Sequence, residues 1–530
     1  MAVTDSGRDL DPLDDSQEYD DPSPMAEESA TRHHRPAPEE LALEAEAEPT
    51  GDIASDVTLT DREAAANEAA EAGRRFERRD VVRWSARALG GLAVAALGVG
   101  AVLGAQALPE DLRTPGAVPE TVVQPSSPLQ SRVCAGPALR VGTADGADAL
   151  AIATIGEPAI EVGSLGGELD QSEVSVTGAA EVQGGASIVQ RNEESTLSAA
   201  QALALDVEAV RGFAASECAE TRLDQWLVGG STRTGRQTVL TIANASQVSA
   251  SVDVTVFGPD GPVESVGSSG IAVSGGSSIV LDLAAIAPGV PDAVVRVAST
   301  GAPVAAHLQQ ITTRGLERGG FEIIDPVTAL TSSVLPGVAV TEPTGLETRE
   351  GYDDTVPTLR LLSPTGGDVR VVFEASDGST IESVGSLEAG RVTDFPLEEI
   401  PVGTHAIRVE SDVPVVAGAR TVAVAGAGLD FDWVAGGQAR SGTSSIAVPS
   451  GPDATVHIVS TSDTDQEIEV AGTSVQLPAN GILEQRVEAG SFEVSGQDLV
   501  IGIGYRDASR VGGFTASPQG PSAEGVRVLH

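Results

Sequence analysis

The chain has 530 residues, room for three or four ordinary domains, with a formal net charge of -45 and only 3% aromatic side chains. Nucleic acid is excluded as a partner by that balance, because phosphates need basic surfaces. No lysine occurs, so all 32 basic residues are arginines. The apolar residues are mostly small or β-branched, which suits strands better than bundled helices.

Residues 1–60 are crowded with Asp, Glu, Pro and Ser. Such a stretch buries too little apolar area to offset its chain entropy, so a disordered acidic tail is expected. Residues 61–87, rich in Ala, Glu and Arg, predict a juxtamembrane helix. Residues 88–108 carry no charge, and as a helix they would run about 31 Å, the thickness of a hydrocarbon core. A transmembrane helix is therefore expected there, with the lipid bilayer as a partner. Arg74, Arg75, Arg78, Arg79, Arg83 and Arg87 precede the span, while Glu110 and Asp111 follow it. That asymmetry places the N-terminus in the cytoplasm and the C-terminus outside, as for a signal anchor in the cell membrane. Ala105-Gln106-Ala107 has the form of a signal-peptidase site, so a cleaved, secreted chain is the competing reading. Residues 109–131 repeat proline and read as a stiff spacer.

Beyond the spacer the pattern turns to short alternating apolar runs divided by Gly, Asp, Pro and Ser. Cys134 and Cys218 flank a less regular β region, 132–222. In an extracytoplasmic compartment they are expected to pair as a disulfide. Asp260-Gly261 and Asp377-Gly378 sit between alternating runs, a hairpin signal because the turn needs positive φ. Val294–Val297 with Ala302–Ala305 echoes Ala406–Val409 with Val413–Val416. Each pair predicts a hairpin of the last two strands in its unit. Trp226-Leu-Val-Gly-Gly and Trp433-Val-Ala-Gly-Gly form a further echo, read as core plugs at domain junctions. These signals predict mainly β, tandem immunoglobulin-like sandwiches at 226–332, 333–432 and 440–516, with 517–530 as a C-terminal tail.

Chemistry is harder to find. His307, His405 and His457 fall in three different units, and no zinc-type cluster, nucleophile elbow or phosphate loop is present. Asp353-Asp354 and Asp463-Thr-Asp465 are weighed as calcium ligands and read instead as solvated acidic loops. Catalytic, cofactor-binding and metal residues are all expected to be absent.

The acidic tail, the arginine-flanked span, the two cysteines around the first outer domain and the Trp-x-x-Gly-Gly units together resemble a family of uncharacterised actinobacterial single-pass membrane proteins. The resemblance covers 74 to about 516 and implies an envelope protein without assigned activity. The expectation is a non-enzymatic envelope protein whose outer sandwiches bind protein or glycan or act as a scaffold. The alternatives are a transmembrane sensor acting through the acidic tail, and a carboxylate-dependent glycan hydrolase.

Overall fold

The computed structural model describes residues 130–518, apart from 143–147, 149–150, 165–168, 180–181, 192–195, 208–209, 316 and 426–427, together with 120–123 and 526–529. The acidic tail, the arginine cluster from Arg74 to Arg87 and the apolar segment 88–108 lie outside the described residues. Among those described, no helix is long and apolar enough to cross a membrane.

The described chain is mainly β and is built from one repeating scheme, clearest at 330–435. There Leu330–Val340 pairs with the first half of a long strand, Gly403–Ala425. That half pairs in turn with Gly367–Ala375, which pairs with Thr380–Leu387. The second half of the long strand leaves for another sheet, between Thr358–Leu362 and the closing strand Gly428–Ala435, with Thr393–Pro396 at the edge. All these pairings are antiparallel. Alternation along the strands points Leu335, Leu359, Leu361, Val371, Ile407, Val409 and Ala419 into one core between the sheets.

The long strand corrects a sequence expectation. Ala406–Val409 and Val413–Val416 do not fold back on each other as a hairpin. Ser332 faces Glu410 and Leu330 faces Val415 in one sheet, while Leu362 faces Val416 in the other. The chain runs straight from sheet to sheet at Pro414, since no residue between 409 and 416 has the positive φ that a tight reversal needs. The Asp-Gly signals do mark hairpins. Gly378 closes one with φ 83°, and the other turns on Pro259-Asp260, with Gly258 facing Gly261.

The same scheme recurs at 224–327 and 440–515. A reduced version at 130–217 pairs Gln130–Val133, Ser187–Arg191 and Leu169–Glu173 in one sheet and Ala159–Ser164, Leu197–Val207 and Val210–Glu217 in the other. Cys134 and Cys218, both fully buried, are joined by a disulfide with Cα atoms 3.9 Å apart.

The four closing strands meet. We label them β1 (Val210–Glu217), β2 (Glu317–Ile324), β3 (Gly428–Ala435) and β4 (Val511–Thr515). Each carries a two-residue signature: Gly212-Phe213, Gly320-Phe321, Asp430-Phe431 and Gly513-Phe514. β1 bridges β2 in parallel at Val210 and Gly319. The fully buried Asp430 carboxylate accepts backbone N–H groups from Phe213 at 2.9 Å, Val511 at 3.1 Å and Phe321 at 3.3 Å. One side chain of the third module thus ties the other three. The signature glycines make the space, since a Cβ on Gly212 or Gly320 would lie 2.5 or 2.7 Å from Asp430 Oδ1.

The first module also meets the fourth. Phe213 and Tyr505 pack with ring centroids 5.1 Å apart, and the Ser517 backbone N–H donates to Glu217 Oε2 at 2.8 Å. Residues 117–530 accordingly form one compact unit.

Candidate functional site

A polar cavity of about 240 Å³ lies where the second module meets the third. Its floor is the outer face of the third module's second sheet. On Thr358–Leu362 the leucines at 359 and 361 face the core, so Thr358 and Arg360 face the other way. The register then sets two polar pairs side by side. Arg360 faces Asp394 on one neighbour, and Arg420 faces both Thr358 and Trp433. In a free-standing sandwich this face would meet water. Here Gly418 lets the second module approach, since a Cβ there would sit 2.9 Å from Val228.

Arg360 is 1% exposed and fully engaged. It grips Asp394 with two bonds of 2.7 Å, donates to Asp292 at 2.6 Å, and reaches the carbonyls of Gly230 and Ala293 at 3.2 and 3.1 Å. Burial opposes its charge, but Asp394 and Asp292 outweigh that and hold the guanidinium above its ordinary pKa. Asp292 is pushed above the usual carboxylate range by burial, with Arg360 working against the shift.

The second wall comes from the 3₁₀ turn Asp353–Thr355 and the second module's strands. Arg233 binds Asp353 at 2.7 Å and Arg236 binds Asp354 at 2.7 Å, with Arg314 closing on the same Asp354 carboxylate. Burial works against the Asp353 charge, yet the Arg233 guanidinium holds its carboxyl below the ordinary value. The reading of Asp353-Asp354 as a solvated loop is therefore corrected for Asp354, while Asp353 keeps its side chain 59% exposed. Its partners stand about 40 to 120 positions away in sequence, beyond the reach of local pattern.

Three lining groups remain with unmet hydrogen bonds. Arg420 donates from Nη2 to the Val356 carbonyl at 3.1 Å and to Thr358 Oγ1 at 3.4 Å, but its buried Nε has no partner. No carboxylate lies within ion-pair distance of it among the described residues. Burial lowers its pKa, and the carboxylates of Asp354 and Asp394 restore only part of the loss. Trp433 Nε1 and Gln310 Oε1, on side chains 3% and 6% exposed, are likewise unpartnered.

Trp226 and Trp433 are both buried, but their motifs are not equivalent. Trp226 lies on the first strand of its module, whereas Trp433 lies on a closing strand. Trp433 belongs to the second module's hydrophobic core although the third module supplies it. The guanidinium of Arg360 stands 4.7 Å from its ring centroid and that of Arg420 5.6 Å, so the ring is no open platform for a sugar. Gly229 admits it, since a Cβ there would come within 3.1 Å of the indole.

The family model of DUF5719, a family of unknown function, matches residues 176–490. The chain belongs to this family. No curated protein and no solved structure is significantly similar to it. Every residue named so far in this DUF5719 cavity falls within the matched span.

The remaining candidates of the sequence do not converge. His307 is buried, 4.0 Å from Asp325, and burial lowers its pKa to about 4. His405 Nε2 bonds to the Pro401 carbonyl at 2.7 Å, and His457 stands 3.6 Å from Glu484. Asp463 and Asp465 are exposed. Among the described residues, no group of His, Cys, Asp and Glu is arranged to hold a metal. Sequence reasoning missed Arg360, Arg420 and Gln310. The available signal was a charged residue inside Leu359-Arg360-Leu361 and another inside Gly418-Ala-Arg420-Thr-Val, since arginine seldom enters such runs unless it is paired.

Proposed function

We propose that this protein is a non-enzymatic component of the cell envelope, held by the apolar segment 88–108 with its N-terminus in the cytoplasm. Its β modules, read as variants of the immunoglobulin-like sandwich, form an outer body that binds a small polar group of an envelope glycan. The observation that carries the binding role is the cavity between the second and third modules, with buried donors and acceptors left unpartnered on Arg420, Trp433 and Gln310. Buried polar groups are costly when unpaired, so such a set is best explained by a ligand that completes it. A hydrolytic role has less support, because four of the five lining carboxylates are each paired with an arginine, which leaves Glu398 without the second free carboxylate such a reaction needs. The arginine-rich flank before residue 88 and the disulfide support the envelope location.

The test has two arms. Protease added to cells stripped of any outer wall layer should digest the β modules and spare an N-terminal tag. Purified protein should retain envelope saccharides that an Arg420→Met, Gln310→Leu double variant releases. Protection of the modules from protease sinks the location, and equal retention by both proteins sinks the cavity.

A further inference from the structure

We propose that the cavity recognises a hydroxylated organic carboxylate, of the kind a uronic acid presents, with Arg420 receiving the carboxylate. This rests on the binding role proposed above and names the chemistry of its ligand.

The argument is one of complementarity. Five acids line the cavity, which would favour a cation if they were available. Four of them are not. Asp292 and Asp394 are held by Arg360, Asp353 by Arg233, and Asp354 by Arg236 and Arg314, while Glu398 stands exposed at the rim. Arg420 is the lining arginine without a carboxylate among the described residues, and it has donors to spare. A guanidinium presents five N–H groups in a planar fork that matches a carboxylate.

The Trp433 indole adds another donor and no acceptor. It faces Arg420 across the strand pair, so both donors belong to one side of the site. An anion would satisfy them, but an anion alone leaves Gln310 Oε1 without a hydrogen to accept. A hydroxyl on the same molecule supplies it. The three orphaned groups together call for acceptor and donor on one small ligand, which an acceptor-only anion such as sulfate and a neutral hydrocarbon do not supply. The space of about 240 Å³ suits one ring-sized polar group.

The experiment is calorimetric titration of the purified full-length protein with glucuronate, glucose, glycolate and inorganic sulfate. Glucuronate should bind, glucose at least tenfold more weakly, and sulfate no better than glucose. Glycolate matching glucuronate would support the carboxylate–hydroxyl pairing and identify a free hydroxy acid as the natural source. Arg420→Met should weaken glucuronate at least tenfold. Arg420→Lys, which keeps a charge but loses the fork, should also weaken it, and Trp433→Phe, which removes the N–H together with part of the bicyclic ring, should do so several-fold. Thermal melts would show which variants are folded, and any one folded variant suffices. Equal binding of glucose and glucuronate, or glucuronate affinity unchanged in a folded Arg420 variant, overturns the inference and leaves the cavity role standing. Sulfate binding as tightly as glucuronate overturns it too. If none of the four binds, the cavity role falls with it.

Discussion

Asp430 accepts the backbone N–H of Phe213 at 2.9 Å, a contact between residues 217 positions apart in the chain. The same carboxylate holds Val511 and Phe321, so one side chain fixes the mutual placement of all four modules. Burial pushes this carboxyl well above its ordinary range, while the backbone donors pull it back. Their number and convergence make it an acceptor hub in either protonation state.

Asp430→Ala should leave three buried N–H groups without their acceptor. At about 1–3 kcal/mol for each stranded donor, the loss should reach at least about 3 kcal/mol. Asp430→Asn should cost less, because its carbonyl can still serve Phe213 and Val511 and only the amide side is wrong for Phe321. Equilibrium denaturation in urea gives the comparison; equal midpoints for Ala and wild type would contradict the hub.

Asp432 predicts an acid-stabilised fold. Burial raises its pKa to about 7, with Arg506 opposing. An acid whose pKa is higher folded than unfolded binds more protons in the native state between those two values. Its contribution is therefore complete below about pH 4 and fades as pH rises through 7. A shift of that size corresponds to roughly 4 kcal/mol at most. Glu217, Glu322 and Asp325, raised chiefly by burial, act in the same direction. Unfolding free energy should fall between pH 5 and 8, and Asp432→Asn should flatten that slope. An unchanged slope in the variant would remove Asp432 as its source.

Arg360→Met should be more damaging than its conservative volume implies. It strands Asp292 and Asp394 beside a buried face, and breaking one side of a buried ion pair costs about 3–5 kcal/mol. A second change, Asp394→Leu, should recover part of the loss because it removes one of the abandoned charges. A double-mutant cycle read from melting curves tests this, with simple additivity as the contrary result.

Reduction of the Cys134–Cys218 disulfide opens a loop spanning 84 positions. The loop-entropy model gives about 4–5 kcal/mol for that length. Both sulfurs are buried, so reductant alone should act slowly and reductant with mild denaturant quickly. Mass spectrometry after thiol alkylation follows the two rates. Equal rates would mean that the first module opens freely.

What the sequence showed and what it hid divide by distance along the chain. Local signals were readable: the Asp377-Gly378 turn closes a hairpin, and Asp260 lies in the turn of another. Pro414 misled, because a proline that permits a strand to change sheets looks like one that ends it. The Trp-x-x-Gly-Gly echo joined two residues with different structural places. The repeat that matters was smaller, since four of the nine phenylalanines follow Gly or Asp in the closing strands. Superimposing those strand ends would have exposed it. The cavity was illegible because Arg233, Asp353, Arg360 and Trp433 converge only once the modules close.

The Asp430 carboxylate leaves no room for a Cβ at Gly212 or Gly320. Four identical subunits meeting there would deliver either four acids to one spot or four glycines and no acceptor, and neither arrangement satisfies the converging amides. Covalent linkage removes that constraint, because each quarter is free to take its own residue. The assembly is thus an obligate heteromer written on one polypeptide, and no single quarter carries the information to rebuild it from copies of itself.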